Sequence, residues 1–172
     1  MNKKALLVID PQNDYFPEGK YPLWNTEKIL SNIKIAIKKA NEKDIPVIYI
    51  QHVADPLKGH APFFNDKSEG VKIHPLLIKA VPNIEVIVKK FADGFEKTYL
   101  ETTLNNQKID ELLICGMMTQ NCITHTAISK AAEKYKVSIL MDCCTTVDEM
   151  IHKIALNALA TRVPLVTIEQ VL

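Results

Sequence analysis

Three side chains that could together form a nucleophilic active site follow apolar runs of this chain. Asp10 and Lys89 each come directly after such a run, and Cys122 lies seven residues beyond Cys115, the last residue of a third. Open parallel sheets bind ligands at the carboxyl ends of their strands, so residues that are distant in sequence can meet there. A carboxylate, an ammonium and a thiol that meet would make a cysteine nucleophile with its own base.

Each of these residues also has an ordinary structural interpretation. Free cysteines are often small buried hydrophobes, carboxylates after strands often cap turns, and Lys89 with Lys90 is typical of a solvated pair. Thr119 is placed to cap a helix, which would put Cys122 in the first helical turn. Unpaired N–H groups and the positive end of the helix dipole favour a thiolate there.

Composition restricts the class of protein. The 172 residues, 47% of them hydrophobic, suit one domain spanning 1–172. The net charge is only +1 and Arg162 is the single arginine, which argues against a nucleic-acid partner. The first apolar run is too short for a signal peptide or a membrane span, so we expect no membrane partner. Four cysteines without a Cys-x-x-Cys pair predict reduced thiols and a cytoplasmic location.

Apolar runs of strand length alternate with helical patterns. Helical spacing follows Thr26, Cys122 and Asp148, and capping-box spacing begins at Thr98 and at Thr146. This alternation predicts a single-domain α/β fold, a doubly wound (Rossmann-like), mainly parallel six-stranded sheet with helices on both faces. The predicted strands are 5–9, 46–50, 84–88, 110–115, 137–141 and 163–168.

The stretch 51–82 interrupts the alternation. It contains five breaks with Pro or Gly and no clear period. Loops of this length in compact domains are usually functional, so we interpret it as a lid or a specificity wall that carries the pair Phe63-Phe64. A surface excursion is the alternative that the sequence leaves open.

The glycines exclude nucleotide-binding loops. Only five are present, and no two lie within ten residues of each other. Neither a Gly-x-Gly-x-x-Gly turn nor a P-loop can be written, so we expect no nucleotide cofactor.

Considered together, these segments resemble the isochorismatase-like hydrolase superfamily, the cysteine hydrolases that include nicotinamidases and carbamoylsarcosine amidohydrolases. The resemblance runs almost from end to end of the chain. Its motifs are Leu-Leu-Val-Ile-Asp10-x-Gln-x-Asp, Pro-Val-Ile-Tyr-Ile-Gln-His52, Gly70-x-x-Ile-His-Pro75, Lys89 six residues before Phe95, Gly116-x-x-Thr-x-x-Cys122-Ile-x-x-Thr-Ala, Asp142 and His152-x-x-Ala-Leu156.

The resemblance implies a catalytic triad of Asp10, Lys89 and Cys122. It also implies a cis peptide bond between Met117 and Met118, and an oxyanion hole made by the backbone N–H groups of Met118 and Cys122. Family members are commonly homo-oligomers, so a dimer or tetramer is expected. The predicted substrate pocket contains Gln12, Phe16, His52, Phe63, Phe64 and Phe95.

Departures from individual subfamilies narrow the expected chemistry. Nicotinamidases typically carry an Asp-x-His with a further His for a metal, whereas this chain has Ile50-Gln-His52, with His60 eight residues on. We therefore expect no metal and no other cofactor, although His52 and His60 could share an ion. A cysteine at position 122 favours acyl chemistry. The expected function is hydrolysis of a small amide-type C–N bond through a thioester. The alternatives are a metal-assisted nicotinamidase and a noncatalytic or redox-sensing thiol protein.

Overall fold

A six-stranded, entirely parallel sheet forms the centre of the protein in a computed structural model that describes residues 3–81 and 85–172. Its order is β3-β2-β1-β4-β5-β6. The strands are β1 Lys4–Ile9, β2 Val47–His52, β3 Glu85–Lys89, β4 Glu111–Met117, β5 Lys136–Thr145 and β6 Leu165–Val166. The helices are α1 Thr26–Glu42, α2 Pro75–Ile78, α3 Leu100–Asn106, α4 Thr124–Ala127, α5 Glu149–Leu159 and α6 Ile168–Val171.

The central strands β1 and β4 are the most deeply buried. Every residue of β4, and every residue of β1 after Lys4, is buried. Strands covered on both faces read as continuous apolar runs rather than as alternating ones, which is why the sequence reveals them. The strand order reverses between β1 and β4, and doubly wound sheets open a crevice at the carboxyl side of that point. Asp10 and the turn that carries Cys122 lie there.

All six predicted strands are present, although the last is much shorter than predicted. Thr167 and Gln170 form a reciprocal capping box, so the chain enters α6 where the apolar run 163–168 predicted more strand. At the other edge of the sheet β3 begins at Glu85, and Ile84 lies outside the described residues.

Neither predicted capping box forms. The Thr98 hydroxyl donates to the Gly94 carbonyl at 2.7 Å, and α3 begins two residues further on. The Thr146 hydroxyl contacts the Gln120 side chain, and Asp148 caps α5 in its place. Thr98 is held by a local contact with the preceding turn, whereas Thr146 is held by a tertiary contact that local spacing does not reveal.

The segment after Cys122 is not the single helix that its alanines predicted. A π turn spans Thr119–Ile123, α4 lasts four residues, and a 3₁₀ turn covers Lys130–Lys134. The Ser129 side chain accepts a hydrogen bond from the Ala131 N–H, which starts the new turn and separates it from α4.

The stretch 53–81 is irregular apart from α2 and a 3₁₀ turn at Pro56–Lys58, while Pro82 lies outside the described residues. Backbone hydrogen bonds attach this stretch to the turn that follows β1. They are Asn13 N–H to Lys72 O at 2.9 Å, Asp14 N–H to Gly70 O at 2.9 Å, and His74 N–H to Pro11 O at 2.8 Å. This attachment favours a fixed wall over a hinged lid.

In the described part of the chain, no helix is both long enough and apolar enough to cross a membrane.

Gly116 combines a positive φ with a close approach to a neighbouring strand. Its φ is +118°, and a Cβ there would lie 2.1 Å from the Ile9 carbonyl oxygen of the paired strand. We expect Gly116→Ala to lower the free energy of unfolding by about 1–3 kcal/mol more than Gly59→Ala, the matched control. Gly59 also has a positive φ, of +87°, but no atom lies within 4 Å of its added Cβ. Urea unfolding followed by circular dichroism measures both variants, and equal losses would contradict the close approach.

Candidate active site

Asp10 begins the site at the end of β1. Its N–H donates to the Ile50 carbonyl of β2 at 2.8 Å, and its own carbonyl accepts from the Gln12 N–H at 2.8 Å. The backbone adopts a left-handed conformation with φ of +50°, which aspartate tolerates better than most residues. The residue is 0% exposed, so its carboxylate needs a compensating charge.

Lys89 supplies that charge from the end of β3. It is 1% exposed, and its Nζ lies 2.9 Å from Asp10 Oδ2. The same nitrogen lies 3.0 Å from His52 Nδ1, 3.1 Å from the Phe91 carbonyl oxygen and 3.2 Å from Cys122 Sγ. The ammonium therefore joins the carboxylate to the thiol. Lys90 carries no such role: it pairs with Asp55 near the surface.

Cys122 lies in the π turn and is 3% exposed. The Ile123 N–H donates to the Met118 carbonyl at 3.3 Å, the five-residue spacing of a π turn. The prediction that Thr119 caps this element is wrong, because its hydroxyl donates to the Thr145 carbonyl at 3.0 Å and Met118 occupies the cap position. A single short turn offers little dipole to the thiol, so the ammonium is its main electrostatic support.

The charges of the site favour a resting thiol beside an ion pair. Burial raises the pKa of the Cys122 thiol, and the Asp10 carboxylate raises it further while the Lys89 ammonium opposes them. Burial opposes the Lys89 charge, but Asp10 and Cys122 more than compensate, so the pKa of Lys89 is raised. A thiol in this state can act as a nucleophile only if a neighbouring group takes its proton.

The Asp10 carboxylate is free to accept that proton. An ammonium has three N–H bonds, and four acceptor groups lie within 3.2 Å of Lys89 Nζ: Asp10 Oδ2, His52 Nδ1, the Phe91 carbonyl and Cys122 Sγ. Among the described residues neither Asp10 oxygen receives a hydrogen bond of good geometry, despite the close ion pair. A buried carboxylate that is charge-balanced but has unused lone pairs is a suitable general base.

The Met117–Met118 peptide bond is cis, at the position that the resemblance implied. Both methionines are buried, directly between Gly116 and the π turn. Participation of the Met118 and Cys122 N–H groups in an oxyanion hole stays a prediction.

Of the six predicted pocket residues, His52 contacts Lys89, whereas Gln12 contacts backbone groups. Gln12 Nε2 donates to the carbonyls of His52 at 2.8 Å and Val71 at 2.7 Å, while its Oε1 accepts from the His52 N–H at 2.8 Å. Its amide is fully committed to backbone groups. Gln12 therefore fixes the backbone of His52, and a place for Gln12 in a substrate pocket stays a prediction.

Phe16 and Phe95 each stack on an aromatic ring, and their place in a substrate pocket stays a prediction. Phe16 stacks on His74, with ring centroids 4.5 Å apart, in a groove of about 760 Å³ that contains none of the triad residues. Phe95 stacks on Tyr135 at 6.0 Å. Proximity to Asp10 and Lys89 in sequence does not fix the direction of a side chain in a loop.

Phe63 and Phe64 belong to one aromatic cluster with different exposure. Phe64 is buried and its N–H donates to Asp14 Oδ2 at 2.8 Å, while its ring lies 6.0 Å from that of His52. Phe63 is half-buried and lies 4.8 Å from Tyr21, ring to ring. Phe64 thus supports the site from the core, and Phe63 lies at its outer side.

Three groups contribute to the surroundings of the site although the sequence analysis gave them no role there. Tyr15 is buried, and burial together with the charges of Asp10 and Cys122 raises its pKa, which brings it into the electrostatic field of the triad. Its position directly after the Asp-x-Gln-x-Asp motif could have indicated it. The Phe91 carbonyl has no sequence signal, because every residue carries one. His152 Nδ1 lies 2.9 Å from Thr119 Oγ1 behind the π turn.

The side chains of this site do not fit a metal ion. In the described part of the chain, the one group with ligand spacing is Asp10, His52 and Cys122, whose ligand atoms lie within 4.8 Å of one another. The Lys89 ammonium already contacts all three side chains, so a second cation would be repelled. His60 is exposed and outside this group.

Comparison with known proteins identifies the family. The protein-family model described as the Isochorismatase domain matches residues 4–170. The chain belongs to the isochorismatase family. The uncharacterized isochorismatase family protein YddQ of Bacillus subtilis (strain 168) is 37% identical over 142 residues, which cover 83% of this chain and 77% of that protein.

The chain is also similar to an enzyme of known activity and to a solved structure. The nicotinamidase of Escherichia coli (strain K12) is 28% identical, and the match covers 86% of this chain and 85% of that enzyme. The crystal structure of an isochorismatase-like hydrolase from Alkaliphilus metalliredigens superposes with a TM-score of 0.88 at 25% identity, over 98% of this chain and 96% of that one. This isochorismatase-family protein is a hydrolase with the family's α/β fold.

The two neighbouring lysines provide a test of the buried ion pair. We expect Lys89→Met to lower the free energy of unfolding by about 3–5 kcal/mol, because the Asp10 carboxylate would stay buried without its partner. Lys90→Met is the matched control and should change it by less than about 0.5 kcal/mol, since its side chain is 51% exposed. Urea unfolding at neutral pH measures both variants. Similar stability of the two would contradict the burial of Lys89.

Alanine substitutions of Phe63 and Phe64 should have different effects on stability and on kinetics. Phe64→Ala should lower the free energy of unfolding by about 3–5 kcal/mol because it opens a cavity in the core. Phe63→Ala should cost much less stability and instead change the Michaelis constant. Unfolding curves and steady-state kinetics of the two variants check this, and a stable Phe64→Ala protein would contradict its assignment to the core.

Proposed function

We propose that this isochorismatase-family hydrolase cleaves a small amide-type substrate through a cysteine thioester. The observation that carries the proposal is the buried contact set around Lys89, whose Nζ lies 2.9 Å from Asp10 Oδ2 and 3.2 Å from Cys122 Sγ. It supplies a nucleophile, a base and a compensating cation in one place.

The acylation half-reaction follows from these contacts. Asp10 accepts the Cys122 proton as the sulfur attacks the substrate carbonyl, and the Lys89 N–H stabilises the negative charge that forms on sulfur. The carbonyl oxygen becomes an oxyanion, for which we propose the N–H groups of Met118 and Cys122 as donors. When the tetrahedral intermediate collapses, the C–N bond breaks, and the amine leaves with the proton held by Asp10.

The deacylation half-reaction uses the same base. Asp10 accepts a proton from water, the resulting oxygen nucleophile attacks the thioester, and the C–S bond breaks. The sulfur recovers its proton from Asp10, and the acid product leaves. Each half-reaction ends with Asp10 as a carboxylate. While Asp10 holds the proton, the negative charge lies on the sulfur or the oxyanion, so the Lys89 charge stays balanced throughout the cycle.

The similarity to a nicotinamidase supports an amide as the substrate class. Arg162, the single arginine, is exposed and lies outside the triad, so the chain offers no guanidinium fork for a substrate carboxylate. The proposal includes a cytoplasmic location, supported by four unpaired cysteines, and a homo-oligomer, which rests on the resemblance alone.

A substrate panel tests the proposed function. Primary and N-substituted amides, with esters in parallel, are assayed for ammonia, amine or acid release. We expect turnover of at least one amide, and a loss on the order of 10³-fold or more in Cys122→Ala, since the nucleophile is gone. Lys90→Met should keep activity within roughly twofold.

Two results would contradict this proposal. Undiminished turnover by Cys122→Ala would exclude the thiol as nucleophile. A panel without turnover, combined with Cys122 alkylation no faster than that of the buried Cys144, would favour a noncatalytic protein that keeps the fold.

A further inference from the structure

The Lys89 ammonium has more neighbours than hydrogens. Four acceptor groups lie within 3.2 Å of its Nζ, and it has three N–H bonds to share among them. Two of the bonds go to groups outside the triad, His52 Nδ1 and the Phe91 carbonyl. These two acceptors therefore decide which way the third N–H points.

The contact with Lys89 fixes the protonation of His52. An ammonium can only donate, so Nδ1 must be the accepting nitrogen and the ring proton of the neutral imidazole must be on Nε2. Burial lowers the pKa of His52, the Lys89 charge lowers it further, and Asp10 opposes them. The titratable groups that face the ring are Lys89, Asp10 and Cys122, and Phe64 packs beside it without charge.

The protein holds this imidazole firmly in place. The buried Gln12 amide bonds both the N–H and the carbonyl of His52, each at 2.8 Å, which extends β2 at its end. The ring then lies against that of the buried Phe64. A fixed backbone and a packed ring leave Nδ1 little freedom to turn away from Lys89.

We propose that His52 is a positioning residue that directs the Lys89 ammonium towards Cys122 and keeps it from occupying the lone pairs of Asp10. The proposal rests on the thiol chemistry of the proposed function. With His52 accepting one N–H and Phe91 another, the third remains on the side of Cys122 Sγ and Asp10 Oδ2, and Asp10 Oδ1 keeps its proton-accepting lone pairs unused.

Loss of this acceptor has a definite consequence. A freed Lys89 N–H would turn to the nearest strong acceptor, Asp10 Oδ2, which lies 2.9 Å away. A carboxylate that accepts a good hydrogen bond from a cation is a weaker base. The Cys122 proton would then be removed less readily, although the triad residues themselves are unchanged.

The experiment compares His52→Leu with His52→Asn. Leucine keeps apolar bulk without an acceptor, whereas the Asn amide oxygen can take the place of Nδ1. The readout is the rate of Cys122 alkylation by iodoacetamide between pH 5 and 10, followed by peptide mass spectrometry, which needs no substrate. We expect His52→Leu to react about tenfold more slowly at neutral pH, with its pH profile shifted upward by about one unit, and His52→Asn to recover most of the wild-type profile.

The outcomes separate this proposal from its rivals. A wild-type profile in His52→Leu would overturn it, as would an Asn variant as slow as the Leu variant, which would indicate packing alone. Neither result bears on the hydrolase proposal, which the amide panel decides.

A measurement on the wild-type protein covers the case in which His52→Leu does not fold. Long-range ¹H–¹⁵N correlation of the His52 ring should show a neutral imidazole protonated at Nε2. Protonation at Nδ1 would overturn the proposal, because an N–H cannot accept from the ammonium.

Discussion

Burial of the Asp10 carboxylate beside the Lys89 ammonium is the constraint that organises this molecule. Either ion alone at this depth would cost several kcal/mol of lost hydration, and only the partner compensates for it. The pair joins the end of β1 to the end of β3, with β2 between them. His52, the last residue of β2, therefore falls directly beside the ammonium.

Cys122, the fourth residue of this group after Asp10, Lys89 and His52, follows β4, on the other side of the point where the strand order reverses. β4 pairs with β1 so that Gly116 lies opposite Ile9, one residue before Asp10. The glycine allows the two backbones to approach closely, and the π turn that follows carries Cys122 to the ammonium. Behind this turn, Thr119 is held by Thr145 and His152. The thiol is thus positioned by backbone contacts on one side and by a single cation on the other.

The sequence predicts those parts of this arrangement that depend on the pattern of apolar residues along the chain. Continuous apolar runs identify all six strands. Asp10 and Lys89 lie at strand ends and Cys122 lies in the turn after β4, and the family resemblance supplied the roles proposed for them. The sequence does not reveal the contacts of Gln12, Phe16 and Phe95, since the direction of a loop side chain depends on partners far away in sequence, such as Val71, His74 and Tyr135. The predicted Thr146 cap fails because the hydroxyl contacts the distant Gln120, and the predicted Thr98 cap fails because the hydroxyl bonds to the Gly94 carbonyl of the preceding turn.

The energetics of the Asp10–Lys89 ion pair indicate that its main contribution is to function and not to the stability of the fold. Buried ion pairs can often be replaced by apolar residues of similar volume with neutral or favourable effect on stability. The sheet around Asp10 and Lys89 is apolar and well buried, so it could accommodate such a replacement. What the apolar alternative lacks is a base with unused lone pairs and a cation within reach of a thiol. The polar interior therefore lowers the stability that this core could reach, and in return keeps Cys122 beside a group that can remove its proton.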